Sequence, residues 1–189
     1  MSSSEPVQNE ASAPEVTPDR GRVPSEANGW RWLPLALGVI VLDQATKAWM
    51  VQHFRIYESF HVLPVLDITL MFNTGAAFSF LSDASGWQKW LFVVLALGVG
   101  AAILGWLRRL KSRSQALLCC SLTLILGGAL GNVIDRLRIG HVVDFISAHW
   151  GSEHHFPAFN VADSAITIGA ILLLLDAWLE SRGANKVGV

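Results

Sequence analysis

Two aspartates concentrate the chemistry available to this sequence: Asp144, in Val142-Val143-Asp144-Phe145, and Asp163, in Asn160-Val161-Ala162-Asp163. Two carboxylates that meet in a partly dry pocket do not both ionise readily; one proton is shared, and the pair can then act as base and acid together. That suits peptide-bond hydrolysis. One carboxylate takes a proton from water, while its protonated partner polarises the scissile carbonyl and then assists the leaving amine. Donors stand nearby: Asn132 and Arg136 are four apart, and Asn160 is three before Asp163, so amide and guanidinium groups can face the acids. The same asparagines could cap helix ends, a role compatible with orienting a substrate.

Other chemistries are open on the same residues. Asp43 and Lys47, four apart, share one face of a helix and can neutralise each other. With Asp144 and Asp163 they could instead form the relay of a proton-coupled transporter or channel, which needs acids spread across the bilayer. His141, His149, His154 and His155 lie near Asp144 and could hold a metal with it, although no His-Glu-x-x-His motif is present. Ser164 lacks a Gly-x-Ser-x-Gly elbow and is better explained as a neighbour of Asp163. The expectation is therefore a carboxylate pair with no metal and no cofactor.

The elements that must position these residues are apolar. Of 189 residues, 52% are hydrophobic and 15% charged, against roughly 25% charged in soluble domains, which points to lipid. A net charge of -1 and a pI near 6.6 offer no basic surface for nucleic acid. Cys119 and Cys120 are adjacent in an apolar run and read as packing residues rather than a disulfide or metal site.

Residues 1–29 are Ser, Glu, Pro, Ala and Asn with few large apolar side chains, the composition of a disordered tail. They lack the charged start and apolar core of a cleaved secretory signal, so the first hydrophobic segment is expected to direct insertion. A domain over 30–180 follows, then a short tail at 181–189. Four segments are long enough to span a bilayer: about 32–51, 90–107, 116–134 and 161–179. Arg108, Arg109, Lys111 and Arg113 join the second to the third, and Arg20, Arg22, Arg31, Arg182 and Lys186 flank the ends. Positive flanks belong in the cytoplasm, which places both termini inside and the loops 52–89 and 135–158 outside. Alternating apolar residues from Phe60 to Phe72 predict a small β element in the first outer loop, and the aromatic stretch 78–90 is expected at the membrane interface. The fold class is thus all-α, four transmembrane helices with a small β element.

Five blocks in order resemble the lipoprotein signal peptidase family, also called type II signal peptidase. They are Asp43-Gln44-Ala45-Thr46-Lys47, Asn73-Thr74-Gly75-Ala76-Ala77-Phe78, Gly128-Ala129-Leu130-Gly131-Asn132 through Asp135-Arg136, Val142-Val143-Asp144-Phe145, and Phe159-Asn160-Val161-Ala162-Asp163-Ser164. The resemblance covers about residues 31–180. It implies an aspartyl endopeptidase of the bacterial inner membrane that cuts prolipoproteins before a diacylglyceryl-modified cysteine, working as a monomer among membrane lipids. Asp144 and Asp163 then match the catalytic aspartates. Asn132, Arg136 and Asn160 match the substrate pocket, Asn73 and Gly75 an outer loop that contacts substrate, and Asp43 and Lys47 the first-helix motif. The long polar N-terminal extension is not something the family needs. The loop between the first two spans is expected to clamp the signal peptide.

Overall fold

The computed structural model describes residues 26–75, 87–150 and 154–187. Most of the expected tail, and most of the stretch 78–90, lie outside the described residues. Helices occupy the four apolar segments: α1 (Leu33–His53), α2 (Trp87–Leu107), α3 (Ala116–Arg138) and α4 (Val161–Val187). A 3-10 turn, Gly29–Trp32, leads into α1, with Pro34 in its first turn, where a missing N–H costs no hydrogen bond. The helices outrun the hydropathy that suggests them. α3 continues through Asp135, Arg136 and Arg138, the arginines being good helix formers and Asp135 held by its bonds to Lys47 and Gln44, and stops where Gly140 adopts φ 83°.

The polar tail also ends sooner than expected. The Glu26 carboxylate accepts from the backbone N–H of Arg113, from that of Ser114 (2.7 Å) and from the Ser114 hydroxyl (2.8 Å). Gly29 N–H donates to Leu110 O at 3.0 Å, and Trp32 Nε1 to Ser112 O at 3.0 Å. Residues 26–29 are therefore strapped to the α2–α3 connection and belong to the folded unit.

α2, α3 and α4 are each long and apolar enough to cross a membrane. α1 matches α2 in length, 21 residues, but Asp43, Gln44 and Lys47 make it less apolar. α3 is the centre: 61% of its apolar window is buried, against 22% for α2 and 17% for α4. Those outer helices leave Val94, Leu95, Ile171 and Leu174 exposed, a surface stable only against lipid. Ala36, Leu107, Leu122 and Leu126 help fill one region of the bundle, where α1 and α2 meet α3.

α3 and α4 touch at backbone distance. A Cβ on Gly128 would collide with Ala162 O and stand 2.8 Å from Ile166 Cγ1, and one on Gly169 would stand 2.7 Å from Ser121 O. Small residues permit this close approach, the usual way helices pack where hydrophobicity cannot drive them together.

The β element differs from expectation. Strands β1 (Ser59–Leu63) and β2 (Leu66–Asn73) come from the first loop, but β3 (Val142–Trp150) and the short β4 (His154–His155) come from the second. All pair antiparallel in the order β1-β2-β3-β4. A central acid interrupts the apolar alternation of β3, and its strand state depends on pairing with a partner some seventy residues distant, which local pattern does not report. Ile68 and Phe145 pack with Met50 and Leu70 beneath the sheet, fixing it to the end of α1.

Gly128→Ala should force α4 off α3 and cost about 1–3 kcal/mol, read as a lowered Tm in detergent. A wild-type melting temperature would show that the close approach is dispensable.

Candidate active site

Asp144 lies in β3 and is 1% exposed, whereas Asp163 opens α4 and is half-buried. Three asparagines reach them. Asn73 Nδ2 donates to Asp144 Oδ2 at 2.9 Å, Asn160 Nδ2 to Asp144 Oδ1 at 2.7 Å, and Asn132 Nδ2 to Asp163 Oδ1 at 2.7 Å.

Each amide is oriented by a bond to its own oxygen. Asn73 Oδ1 accepts from Gly75 N–H at 2.8 Å, a turn that Gly75 closes at φ 94°, where a Cβ would meet Phe92 Cε2 at 2.7 Å. Asn132 Oδ1 accepts from the Lys47 ammonium at 3.0 Å. Asn160 Oδ1 accepts from the Asp163 N–H at 2.9 Å, while Asp163 Oδ2 accepts from the Asn160 N–H at 3.4 Å. That reciprocal pair is a capping box at the start of α4. With every amide oxygen engaged, the NH2 groups are left to face the carboxylates.

The backbone delivers these groups. Met71 pairs with Asp144 and Asn73 with Val142, so β2 lays Asn73 alongside the acid. Phe159 bridges to Ile146, its carbonyl accepting from Phe145 and Ile146 N–H at 3.1 and 2.8 Å, which pins the entrance of α4 against β3.

Beneath the pair lies a buried polar node. Lys47 Nζ is 2.8 Å from Asp43 Oδ2 and 2.8 Å from Asp135 Oδ2. Asp43 Oδ1 accepts from Ala162 N–H at 2.9 Å, holding the first turn of α4, and Gly131 leaves the room: a Cβ there would stand 2.7 Å from Asp43 Oδ2. Gln44 Nε2 donates to Asp135 Oδ1 at 2.8 Å.

The structure thus gathers Asp43, Lys47, Asn73, Asn132, Asp144, Asn160 and Asp163 into one network. Gly75 contributes through Asn73, which touches Asp144. Arg136 lies beside the network, reaching Asn132 O at 3.4 Å and covering the Phe92 ring at 4.9 Å; among the described residues it makes no hydrogen bond to either aspartate. His141 stacks on Phe72 at 4.3 Å and His149 lies near Asp67, so neither meets Asp144, and the side chains of His154 and His155 lie outside the description. Asp135 and Phe92 join the site without standing out in the sequence. Asp135 had a signal, being three residues beyond Asn132 and so on the same helical face.

Burial and the nearby Asp163 charge push the Asp144 carboxyl up to about 6, against the bonds from Asn73 and Asn160 that favour its ionised form. Burial dominates. On the other side, Asp163 borders a cavity of about 380 Å³ lined also by Phe156, Phe159, Ser164, Thr167 and Ile168.

A bundle of apolar helices that closes over two carboxylates and their amide donors, with an open cavity beside one of them, defines a class: helical membrane enzymes of the aspartic type. The family described as signal peptidase (SPase) II matches residues 35–179. The chain is 50% identical over 157 residues to a lipoprotein signal peptidase of Pseudomonas putida, covering 82% of this chain and 91% of that one. It is 52% identical over 174 residues to that of Pseudomonas paraeruginosa, with coverages of 91% and 97%. A solved bacterial membrane enzyme superposes with a TM-score of 0.71 at 31% identity, over 82% of this chain and 92% of that one. This chain belongs to the signal peptidase II family.

The raised Asp144 group carries a stability signature. Its contribution is fully present below the unfolded value, near 3.8, and is lost as pH rises through about 6, amounting to roughly 3 kcal/mol. Asp144→Asn cannot titrate, so its Tm relative to wild type should climb from about pH 4 to about pH 6 and level off above. A pH-independent difference would mean that Asp144 is not held up by burial.

Proposed function

We propose that this chain releases signal peptides from prolipoproteins at the extracytoplasmic face of the bacterial inner membrane, with Asp144 and Asp163 as the reacting pair. The observation that carries the proposal is the asparagine bridge. Asn160 donates to Asp144 at 2.7 Å and accepts from the backbone of Asp163 at 2.9 Å, so one side chain anchors both acids. The substrate class follows from the lipoprotein signal peptidases to which the chain is about half identical. Cleavage falls before a diacylglyceryl-modified cysteine, whose acyl chains stay in lipid while the bond to be cut sits where water reaches.

The two acids take different parts. Asp163, beside the cavity, accepts the proton of the attacking water. Asp144, buried and poised near 6, serves as the acid: an arriving substrate displaces water and lifts it further, so it binds the scissile carbonyl oxygen in protonated form. Asn132 and Asn160 hold both carboxyls in place through collapse of the tetrahedral intermediate, when a proton passes to the leaving amine. One chain supplies both acids, in keeping with a monomer.

Topology supports this placement. α1 serves as a fourth span because its charges are consumed internally: Lys47 is paired with Asp43 and Asp135. Arg108, Arg109, Lys111 and Arg113 between α2 and α3, with Arg31 and Arg182, mark the cytoplasmic side. Both termini are then inside, and the sheet and aspartates outside. A transmembrane relay is disfavoured by the apolar cluster around Leu107, Leu122 and Leu126, which fills part of the bundle.

Asp144→Asn and Asp163→Asn should each reduce cleavage of a lipidated pro-peptide by at least about a hundredfold while the protein stays folded; substantial turnover in either variant would remove that acid from the chemistry. EDTA should leave the rate unchanged, and inhibition by the chelator would reinstate a catalytic metal. Asn73→Ala deletes a bond that favours ionised Asp144, so the alkaline limb of the kcat/KM profile should move to higher pH. A limb that stays put, or moves down, would assign the titration to another group.

A further inference from the structure

We propose that the β1 margin of the β-sheet carries a second site, a binding site for a borderline divalent transition metal such as Zn2+, built from His61, Asp67 and His149. The three residues come from three strands. His61 pairs directly with Asp67 across β1 and β2, and Asp67 pairs with Ser147 across β2 and β3. His149 is two residues beyond Ser147, so all three side chains project from one face of the sheet. Phe145, two residues before Ser147 on the same face of β3, packs on Met50, so the site lies at the margin of the sheet's buried face, where the His61 side chain is still exposed.

The donor set and spacing suit zinc. One carboxylate oxygen and two imidazole nitrogens lie within 4.8 Å of one another. Zinc holds such atoms at about 2.0–2.2 Å in a tetrahedron, whose edges are then about 3.3–3.5 Å. His149 Nε2 stands 3.4 Å from Asp67 Oδ1, already an edge of that length. His61 Nδ1 stands closer, 2.6 Å from the same oxygen, and must retreat by about 0.7 Å. It is free to do so, because its side chain is 82% exposed, while those of Asp67 and His149 are 10% and 14% exposed and preset by the sheet. Three protein ligands leave a fourth position for water.

A metal here would cross-link β1, β2 and β3, the last being the strand that carries Asp144. Occupancy stabilises the native sheet by mass action and takes no part in hydrolysis. The site is separate from the aspartate pair, so its test does not depend on the proposed cleavage.

The experiment uses tag-free protein in detergent, titrated calorimetrically with Zn2+ and, in parallel, with Co2+ as a spectroscopic probe of coordination. Wild type should bind one ion per chain, develop Co2+ ligand-field bands of low coordination number, and melt at a temperature that rises with zinc. His61→Ala, a change at an exposed side chain, should weaken binding by at least about tenfold and abolish the zinc-dependent rise, and His149→Gln should do the same. Metal-free His61→Ala should lose only the small stabilisation of its bond to Asp67, a fixed drop in melting temperature that zinc does not change. The absence of saturable binding to wild type, or binding unchanged in His61→Ala, would overturn the proposal and leave His61 and Asp67 as a hydrogen-bonded pair joining two strands.

Discussion

A single ammonium, that of Lys47, sets the terms for the polar end of the bundle. It lies 3% exposed between the carboxylates of Asp43 and Asp135, 2.8 Å from each, and also touches Asn132 Oδ1 at 3.0 Å. Burying charge is costly, and removing one member of such a group typically costs about 3–5 kcal/mol because it strands the others. The node therefore survives only complete, and completeness has structural consequences. Asp43 can remain only while it also accepts from Ala162 N–H, which fixes the start of α4, and Asp135 accepts from Val143 N–H at 3.2 Å, which fixes the start of β3. The residues after those two anchors are Asp163 and Asp144. The charge pairing within the bundle thereby sets the backbone height of both acids.

The same ammonium decides which way an amide points. An asparagine side chain has two nearly isosteric ends, and only one of them can donate to a carboxylate. Lys47 at Asn132 Oδ1, Gly75 N–H at Asn73 Oδ1 and Asp163 N–H at Asn160 Oδ1 each remove the alternative. The Asn160 NH2 has further acceptors at 3.2 and 3.3 Å, on Asn132 and the Val143 carbonyl, but its shortest bond is the one to Asp144. Donors locked before substrate arrives need no reorganisation during reaction, which is the economy of a preorganised polar site. Gly75 shows how remote the cause can be. Its positive φ and missing Cβ, tolerated beside Phe92, are what aim Asn73 at Asp144.

The helices were legible in sequence because long apolar runs carry their own signal, yet their ends were not. Hydropathy falls at Ile134, while the hydrogen-bond ladder of α3 continues to Arg138. Asp144 and Asp163 stood out as acids beside apolar segments, and Asn132 and Asn160 by spacing. Long-range pairing was the blind spot. Asn73 was identified only by resemblance, although Asn73-Thr74-Gly75 is itself a turn signature, because nothing local tells that β2 lies against β3. Asp135 is hidden for a related reason: Asp43 and Lys47 balance each other on one helix, and the need for a third partner emerges only when α3 packs alongside. Residues 26–29 show the converse, a polar composition that reads as free chain until Glu26 meets the N–H groups of the α2–α3 connection.

The inequality between the two aspartates follows from which element carries each. A strand buried between sheet neighbours and α3 gives Asp144 little water, and desolvation outweighs the two amide bonds that favour its charge. A helix start gives Asp163 a capping bond and an open flank toward the cavity. Two carboxyls on the same kind of element would meet similar solvent and compete for the proton on equal terms, with neither committed to act as acid or base. Splitting them between a strand and a helix start, and tying them through Asn160, gives them different solvent while keeping them adjacent. The two side chains therefore differ in depth: Asp144 is enclosed with its amide donors beside the sheet, and Asp163 stands at the edge of the cavity.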